Sequence, residues 1–153
     1  MSDNTITQEQ LVALRQENIG RLFMRASRAY SELAFEKLRA YGHTEITPVH
    51  GMLIANLDIE GTRATVVAER AGVTKQAIGQ LAHDLEKLNY IEKIPDPQDG
   101  RASLLKFTEK GMQALHDAHE IKKEIEAEFI AILGEDRMES LREMIQVFLD
   151  GQS

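Results

Sequence analysis

Hydrophobic positions recur mostly at helical spacing along the chain, and capping residues mark where each run begins. Thr7, with Gln10 three residues later, has the capping-box signature, and the periodic run that follows continues to about Gly42. One long first helix is therefore predicted. Thr47 stands directly before a proline, which is favoured at the first helical position, so a second, shorter helix is expected from there to about Gly61.

Two further helices are predicted on either side of a short turn. Thr65 can cap a helix that runs through Arg70 and stops at Gly72, and Thr74 can cap the next one. Ala68 supplies a small side chain where two crossing helices would touch, and the glycine can adopt a left-handed conformation in the turn. The apolar positions of the later helix are Ile78, Leu81, Leu85 and Leu88. This arrangement predicts a helix-turn-helix.

The hydrophobic period then changes from that of helices to that of strands. Two short β-compatible runs, Ile91–Ile94 and Ser103–Phe107, flank the turn-forming sequence DPQDGRA and predict a hairpin. Thr108 opens a very long helix that ends at Gly134, and a last helix follows from Glu135 to Leu149. A hairpin after a helix-turn-helix is a wing, so the predicted fold class is mainly α with a small β-hairpin wing.

The length and composition narrow the class of protein. A chain of 153 residues fits one ordinary domain, or a compact core with helical extensions. There is no run of eighteen apolar residues, and the first residues lack the basic start and apolar run of a secretory signal, so a soluble cytoplasmic protein is expected. The absence of cysteine excludes disulfides and thiolate metal sites.

The charge distribution matters more than the total. A net charge of −7 argues at first against a nucleic-acid partner, because DNA binding depends on lysine and arginine neutralising phosphates. However, residues 62–106 contain seven basic and six acidic residues, so the rest of the chain carries −8. The helix-turn-helix and wing are therefore the part of the chain whose charge is compatible with binding double-stranded DNA.

The second helix of the helix-turn-helix has a polar face opposite its apolar side. The side chains on this polar face are suited to binding DNA. Glutamine pairs with adenine through two hydrogen bonds, lysine favours guanine or phosphate, and the helix N-terminus at Thr74 adds backbone donors for a phosphate. Gly79 costs about 1 kcal/mol in mid-helix relative to alanine, which a close approach of the backbone to DNA would offset. The alternative is a solvated helix face with a tolerated glycine. The outward residues are Lys75, Gln76, Gly79, Gln80, His83 and Lys87.

Three segments resemble a known family. They are LEKLNYIE at 85–92, DPQDGRA at 96–102 and FTEKG at 107–111. In this order they are similar to the MarR family of bacterial transcriptional regulators, whose members carry a DPxDxRA-type wing, and the resemblance covers nearly the whole chain. It implies a winged helix-turn-helix protein that binds DNA and regulates transcription.

The resemblance also implies a role for Arg101, because the wing arginine of the family enters the minor groove. A narrow minor groove has an enhanced negative potential that attracts a planar, permanently charged guanidinium. Asp99, two residues earlier, can hold the wing turn or pair with that guanidinium. The alternative is a surface turn with a local ion pair. Many relatives have a second arginine where Gly100 stands, so this wing carries less charge.

The family resemblance further implies a two-fold dimer built by the N- and C-terminal helices. The predicted division is a helical dimerisation region, residues 1–44 and 109–153, around a DNA-binding domain, residues 45–108. An intramolecular three-helix bundle is the alternative. A two-fold dimer presents its recognition helices to consecutive major grooves, which predicts a pseudo-palindromic operator. The apolar residues expected to need a partner are Ile125, Phe129, Leu133, Leu141, Ile145 and Phe148.

The predicted function is therefore a homodimeric repressor that a small ligand releases from DNA. Tyr30 and His50 are the candidates for the crevice that relatives use for effectors, although a histidine near a helix N-terminus is more often a satisfied surface or boundary residue. His116 and His119 lie on one helical face and could share a divalent metal, which makes a metal-responsive regulator an alternative. A third ligand would have to come from elsewhere, so no metal and no cofactor is predicted.

Two other classes of function compete with the regulator. Asp96 and Asp99 could suggest paired catalytic carboxylates, but they fall on a predicted exposed turn, and no nucleophile, phosphate-loop or metal motif is present, so no enzyme is expected. A helical interaction protein that does not bind DNA remains open. Arg101→Ala separates the two, because only a DNA-binding protein should lose affinity for an operator.

Overall fold

The computed structural model describes residues 6–152, which form seven helices and a small three-stranded sheet. Contacts divide the described chain into two compact units after Leu33. None of the described helices combines the length and apolar character needed to cross a membrane. The elements in chain order are α1 (Gln8–Glu17), α2 (Ile19–Ala40), α3 (Pro48–Ile54), β1 (Thr62–Arg63), α4 (Ala64–Ala71), α5 (Lys75–Lys87), β2 (Ile91–Asp96), β3 (Asp99–Phe107), α6 (Glu109–Leu133) and α7 (Glu135–Asp150).

The first unit contains α1 and most of α2, and the prediction of one long helix here was wrong. Thr7 and Gln10 form the predicted capping box, with the Thr7 hydroxyl accepting from the Gln10 N–H at 3.2 Å. The helix is broken at Asn18, where ψ is 116°. The Asn18 carboxamide oxygen accepts from the Arg21 N–H at 3.2 Å, because a short amide side chain competes with helical bonding and favours a new N-cap.

In the second unit, α4 and α5 form the predicted helix-turn-helix. Gly72 has a φ of +65°, the left-handed conformation that closes α4, and the Val73 N–H donates to the carbonyl of Ala68 at 3.0 Å. Thr74 caps α5 by accepting from the Ala77 N–H at 3.2 Å. The side chains that fix the crossing of the two helices are fully or almost fully buried, namely Val67, Ala68, Ile78, Ala82 and Leu85.

Two helix boundaries differ from the prediction. Helix α4 begins at Ala64 with Arg63 as its N-cap, so Thr65 is not a cap; the preceding residues pair with β3 as the short strand β1. Helix α3 ends at Ile54, well before Gly61. The Asn56 side chain donates to the carbonyl of Met52 at 2.8 Å and so replaces a helical backbone bond.

The sheet has the order β1-β3-β2 and is antiparallel throughout. The predicted hairpin is confirmed, but its strands reach further, leaving only Pro97 and Gln98 between them. The register pairs Ile91 with Phe107 at the base of the hairpin and shifts at Pro95/Asp96, next to the tip. The wing therefore extends from a base anchored in the protein core to a short, exposed tip.

Helix α6 packs closely against the base of the wing. Thr108 caps it, accepting from the Gly111 N–H at 3.1 Å. A Cβ at Gly111 would lie 1.9 Å from the Tyr90 carbonyl oxygen, so only glycine allows this approach. Ile125 is fully buried, so the expectation that it needs a partner chain was wrong. The mainly helical fold with a β-hairpin wing is as predicted, whereas the division at residues 44/45 and 108/109 stays a prediction.

Candidate nucleic-acid interface

The polar face of α5 is exposed, opposite the buried positions Ile78 and Leu85. This orientation follows from the helical repeat, since apolar positions packed on α4 turn the intervening positions outward. Each outward position that the sequence singled out is exposed, as is the capping residue: Thr74, Lys75, Gln76, Gly79, Gln80, His83 and Lys87.

Several of these side chains have free polar groups. Among the described residues, no side-chain hydrogen bond or ion pair involves Lys75, Gln76 or Lys87. The Gln80 amide, by contrast, donates to Asp84 Oδ1 at 3.1 Å, one turn further along α5. The face therefore offers two ammonium groups and one unengaged carboxamide, while the Asp84 carboxylate orients the second carboxamide.

Gly79 lies on this exposed face. Outside the backbone of its own helix, no described atom lies within 4 Å of a Cβ built at Gly79. The protein itself therefore does not require glycine there, in contrast to Gly111. The space beside Gly79 is open to a ligand that approaches the backbone of α5.

The wing places Arg101 near its tip, on strand β3. The residue is exposed, and its guanidinium makes no hydrogen bond or ion pair with the part of the chain that the structure describes. The sequence left two roles open for Asp99. Its Oδ1 atom accepts from the Arg101 backbone N–H at 3.1 Å, so the carboxylate holds the turn and leaves the guanidinium free.

An ion pair beneath the wing tip was not foreseen from the sequence. The Asp96 side chain is almost completely buried, and its Oδ2 atom accepts from Nε and Nη2 of Arg63, each at 2.5 Å. Its Oδ1 atom accepts from the Gln98 N–H at 2.8 Å. This backbone N–H and the Arg63 guanidinium lower the pKa of Asp96. The Asp-Pro sequence signals the turn, but no local pattern indicates a partner 33 residues away.

A second polar network, in the interior, was also missed. His43 is buried, with Nε2 at 2.9 Å from Asp117 Oδ2 and Nδ1 at 3.0 Å from the Tyr90 hydroxyl. Gln113 donates to the other Asp117 oxygen at 2.8 Å. The hydrogen bond from His43 lowers the pKa of Asp117, and burial raises the pKa of Tyr90. The network joins α6 to the residue that precedes β2, and so fixes the base of the wing.

The effector candidates fall in different units. Tyr30 belongs to the first unit and is exposed, while His50 belongs to the second and is partly buried. The His50 ring Nδ1 accepts from the Thr47 N–H at 3.2 Å, which closes a capping box at the start of α3. His50 therefore has a structural partner, and the effector crevice stays a prediction.

The histidine pair on α6 does not form part of a larger cluster. His116 and His119 are both exposed, and the carboxylate between them, Asp117, points into the interior network with His43. Within residues 6–152, no group of three or more histidine, aspartate or glutamate side chains could hold a metal ion. The described geometry gives the metal-responsive alternative no third ligand.

Comparison with known proteins finds one matching family model and several solved structures of the same fold. A model of the MarR family matches residues 44–102. No curated protein matches the sequence. PcaV, a transcriptional regulator from Streptomyces coelicolor solved in complex with its natural ligand, is similar at 25% identity; the match covers 91% of this chain and 96% of PcaV, with a TM-score of 0.64.

Other solved structures share the fold. MepR, a transcription regulator of the Staphylococcus aureus multidrug efflux pump MepA, is 21% identical over 89% of this chain and 99% of MepR, with a TM-score of 0.71. A MepR variant bound to an oligodeoxyribonucleotide is 21% identical over 90% of this chain and 100% of the variant, with a TM-score of 0.62. The match to the MarR family model therefore covers the helix-turn-helix and much of the wing, and the solved structures share the fold of this chain.

Proposed function

We propose that the protein is a homodimeric transcriptional repressor that binds a pseudo-palindromic operator and is released by a small molecule. The observation that carries the proposal is the combination of two exposed features: the polar face of α5, on which Lys75, Gln76 and Lys87 are unengaged, and the unengaged guanidinium of Arg101 on the wing. A helix of this composition suits the major groove, and a guanidinium on a hairpin suits the minor groove.

We assign the DNA contacts to the positions selected from the sequence. Lys75 and Lys87 neutralise phosphates or read guanine, and Gln76 and Gln80 read adenine. Thr74 directs the N-terminus of α5 at a phosphate, Gly79 admits the DNA backbone, and His83 adds a polar contact. Arg101 enters the minor groove, while Asp99 keeps the wing turn in shape without touching DNA.

The dimer is supported by the apolar surface of α7. This helix has no buried residue, and Met144 and Val147 are 63% and 73% exposed. Exposed apolar surface of this kind marks an interaction site. A second copy of the chain is the occupant that the family architecture favours, and its two-fold symmetry gives the operator its pseudo-palindromic form.

The charge distribution and the effector complete the proposal. The residues outside 62–106 together carry the acidic excess of −8, which repels DNA except at the two winged lobes. A ligand that prefers a dimer with the wrong separation between lobes lowers the population that can bind. PcaV was solved with its natural ligand, and we propose that this protein also responds to a small-molecule effector. Because the proposed partner is DNA, we also propose that the protein is located in the cytoplasm.

The test is selection of DNA from a random pool by the purified protein, followed by affinity measurements at increasing salt. The selected site should be a pseudo-palindrome, and its affinity should fall steeply with salt. Arg101→Ala should weaken operator binding by about 1–3 kcal/mol, or roughly 5- to 150-fold. Lys122→Ala is the matched control, because it removes one positive charge from an exposed position on α6.

Two results would contradict the proposal. Binding that is weak and blind to sequence, or equal effects of Arg101→Ala and Lys122→Ala, would favour a helical interaction protein that does not use DNA. An operator affinity that no bound ligand changes would leave DNA binding in place but remove the release mechanism.

A further inference from the structure

The ion pair between Arg63 and Asp96 connects the two parts of the DNA-binding region. Arg63 is the last residue of β1 and the N-cap of α4, so it lies where the helix-turn-helix begins. Asp96 is the last residue of β2, directly before the wing tip. The backbone pairing of β1 with β3 already connects these two parts. The ion pair adds a side-chain link from the start of α4 to the end of the wing.

The surroundings of the pair make it a strong constraint. Asp96 is only 6% exposed, and both of its carboxylate oxygens are engaged, one by the Gln98 N–H and one by the Arg63 guanidinium. Arg63 donates through both Nε and Nη2, which fixes the orientation of the guanidinium as well as its distance. A buried carboxylate that loses this partner keeps an uncompensated charge, so the turn would have to rearrange.

The constraint reaches Arg101 through the turn. Asp96 and Asp99 are paired across the hairpin tip, and Asp99 Oδ2 lies 3.9 Å from Arg63 Nη2. Asp99 in turn accepts from the Arg101 N–H. The Arg63 guanidinium therefore faces both carboxylates of the tip, and the second of these holds the backbone of the proposed minor-groove residue.

We propose that Arg63 and Asp96 are positioning residues for DNA binding: the pair sets the wing tip relative to the helix-turn-helix so that Arg101 meets the minor groove. Neither residue needs to touch DNA. The inference rests on the proposed function, because it assigns the pair its role through Arg101. It predicts that breaking the pair lowers operator affinity only while Arg101 is present.

A direct phosphate contact by Arg63 makes a different prediction. The Arg63 side chain is 41% exposed, so it could bind a phosphate itself. In that case Asp96→Asn would free the guanidinium and leave affinity unchanged or raise it, whereas Arg63→Gln would lower it. If the pair positions the wing, both substitutions lower affinity.

The experiment measures operator affinity for Arg63→Gln and Asp96→Asn, each alone and combined with Arg101→Ala. Each single variant should bind about tenfold more weakly, and this loss should largely disappear in the Arg101→Ala background, because contacting or coupled residues are not additive. Arg63→Lys, which keeps the charge but not the forked donor geometry, should lose less than Arg63→Gln.

Arg70→Gln is the matched control. Arg70 lies near the end of α4, is 43% exposed, and pairs with Asp58 at 2.9 Å, away from the wing. Arg70→Gln, like Arg63→Gln, removes one positive charge and breaks an arginine–aspartate ion pair. A general effect of lost charge or lost stability would therefore appear in both variants. Hydrogen exchange of the Gln98 and Arg101 amides in the DNA-free protein should rise for Arg63→Gln and not for Arg70→Gln.

The possible outcomes distinguish a failure of this inference from a failure of the proposed DNA binding through Arg101. If Arg101→Ala has no effect on affinity, the assigned role of Arg101 fails and the inference falls with it. If Arg101→Ala weakens binding but Arg63→Gln and Asp96→Asn do not, or if their effects add fully to that of Arg101→Ala, only the inference is overturned. A fall in thermal stability without a change in affinity would reduce the pair to a structural contact.

Discussion

Helices α5 and α7 have similar lengths and similar amphipathic sequences, yet they use their faces in opposite ways. Helix α5, of 13 residues, buries Ile78, Ala82 and Leu85 within its own chain and exposes lysine and glutamine. Helix α7, of 16 residues, buries none of its side chains. Its exposed surface includes apolar residues such as Met144 and Val147.

The difference indicates what kind of partner each helix can take. The exposed face of α5 retains hydrogen-bonding groups after its apolar side has been used in packing, so a polar, charged partner such as DNA fits it. The exposed face of α7 can gain free energy mainly by removing apolar surface from water, at about 25 cal/mol per Å². Helix α5 therefore buries its apolar side within the chain, whereas we propose that a second chain covers the apolar side of α7.

The strongest test of this comparison is truncation of the buried face of α5. Ile78→Ala should lower the free energy of unfolding by about 2–5 kcal/mol, because Ile78 is fully buried and its loss leaves a cavity. Urea unfolding followed by circular dichroism measures the effect. Gln76→Ala, on the exposed face of the same helix, should stay within about 0.5 kcal/mol. Equal losses in the two variants would mean that α5 is not held by its apolar side.

The next effect concerns α7 and the association of two chains. Met144→Glu should cost the dimer about 3 kcal/mol, a roughly hundredfold rise in the dissociation constant, because the interface would bury an unpaired carboxylate. The fold of each chain should survive, since Met144 is 63% exposed and a glutamate there is solvated in the single chain. Analytical ultracentrifugation over a range of protein concentrations gives the result.

Met144→Leu is the control for that substitution, because it keeps the size and apolar character of the side chain. It should leave the dissociation constant nearly unchanged. A dimer that tolerates glutamate as well as leucine at this position would place the interface elsewhere, and α7 would then have no demonstrated partner.

The features predicted correctly from the sequence are those that local chemistry specifies. Thr74 and Thr108 cap their helices through their own hydroxyls, and Gly72 takes the left-handed conformation within one turn of the helix that it ends. The exposed face of α5 also follows from local periodicity alone. For these elements the residues that determine the structure are only a few positions apart.

The features that were missed depend on residues far apart in the chain. The partners of the His43–Asp117 and Arg63–Asp96 pairs are 74 and 33 residues apart, and only the folded topology brings them together. The same reason explains Ile125: its apolar character was recognised, but whether its own chain or a partner covers it depends on tertiary packing. The break at Asn18 has a local cause, the capping side chain of Asn18, but it was missed because hydrophobic positions continue at helical spacing on both sides of it.

The smallest expected effect tests the recognition face itself. Gly79→Ala should raise the stability of the protein by about 1 kcal/mol, because alanine is the better helix former and the added methyl group meets no described atom within 4 Å. If DNA approaches the backbone of α5 at this point, the same methyl group should lower operator affinity. The two effects have opposite signs, so a general loss of folding cannot imitate them.

Thermal unfolding and operator affinity of Gly79→Ala should therefore be measured on the same preparation, with binding to unrelated DNA as the internal reference. Operator binding should weaken more than binding to unrelated DNA, since only the specific complex seats α5 deeply in the major groove. An increase in stability with unchanged operator affinity would instead make Gly79 a tolerated residue on a solvated surface. The contrast with α7 would then rest on the lysine and glutamine side chains of α5 alone.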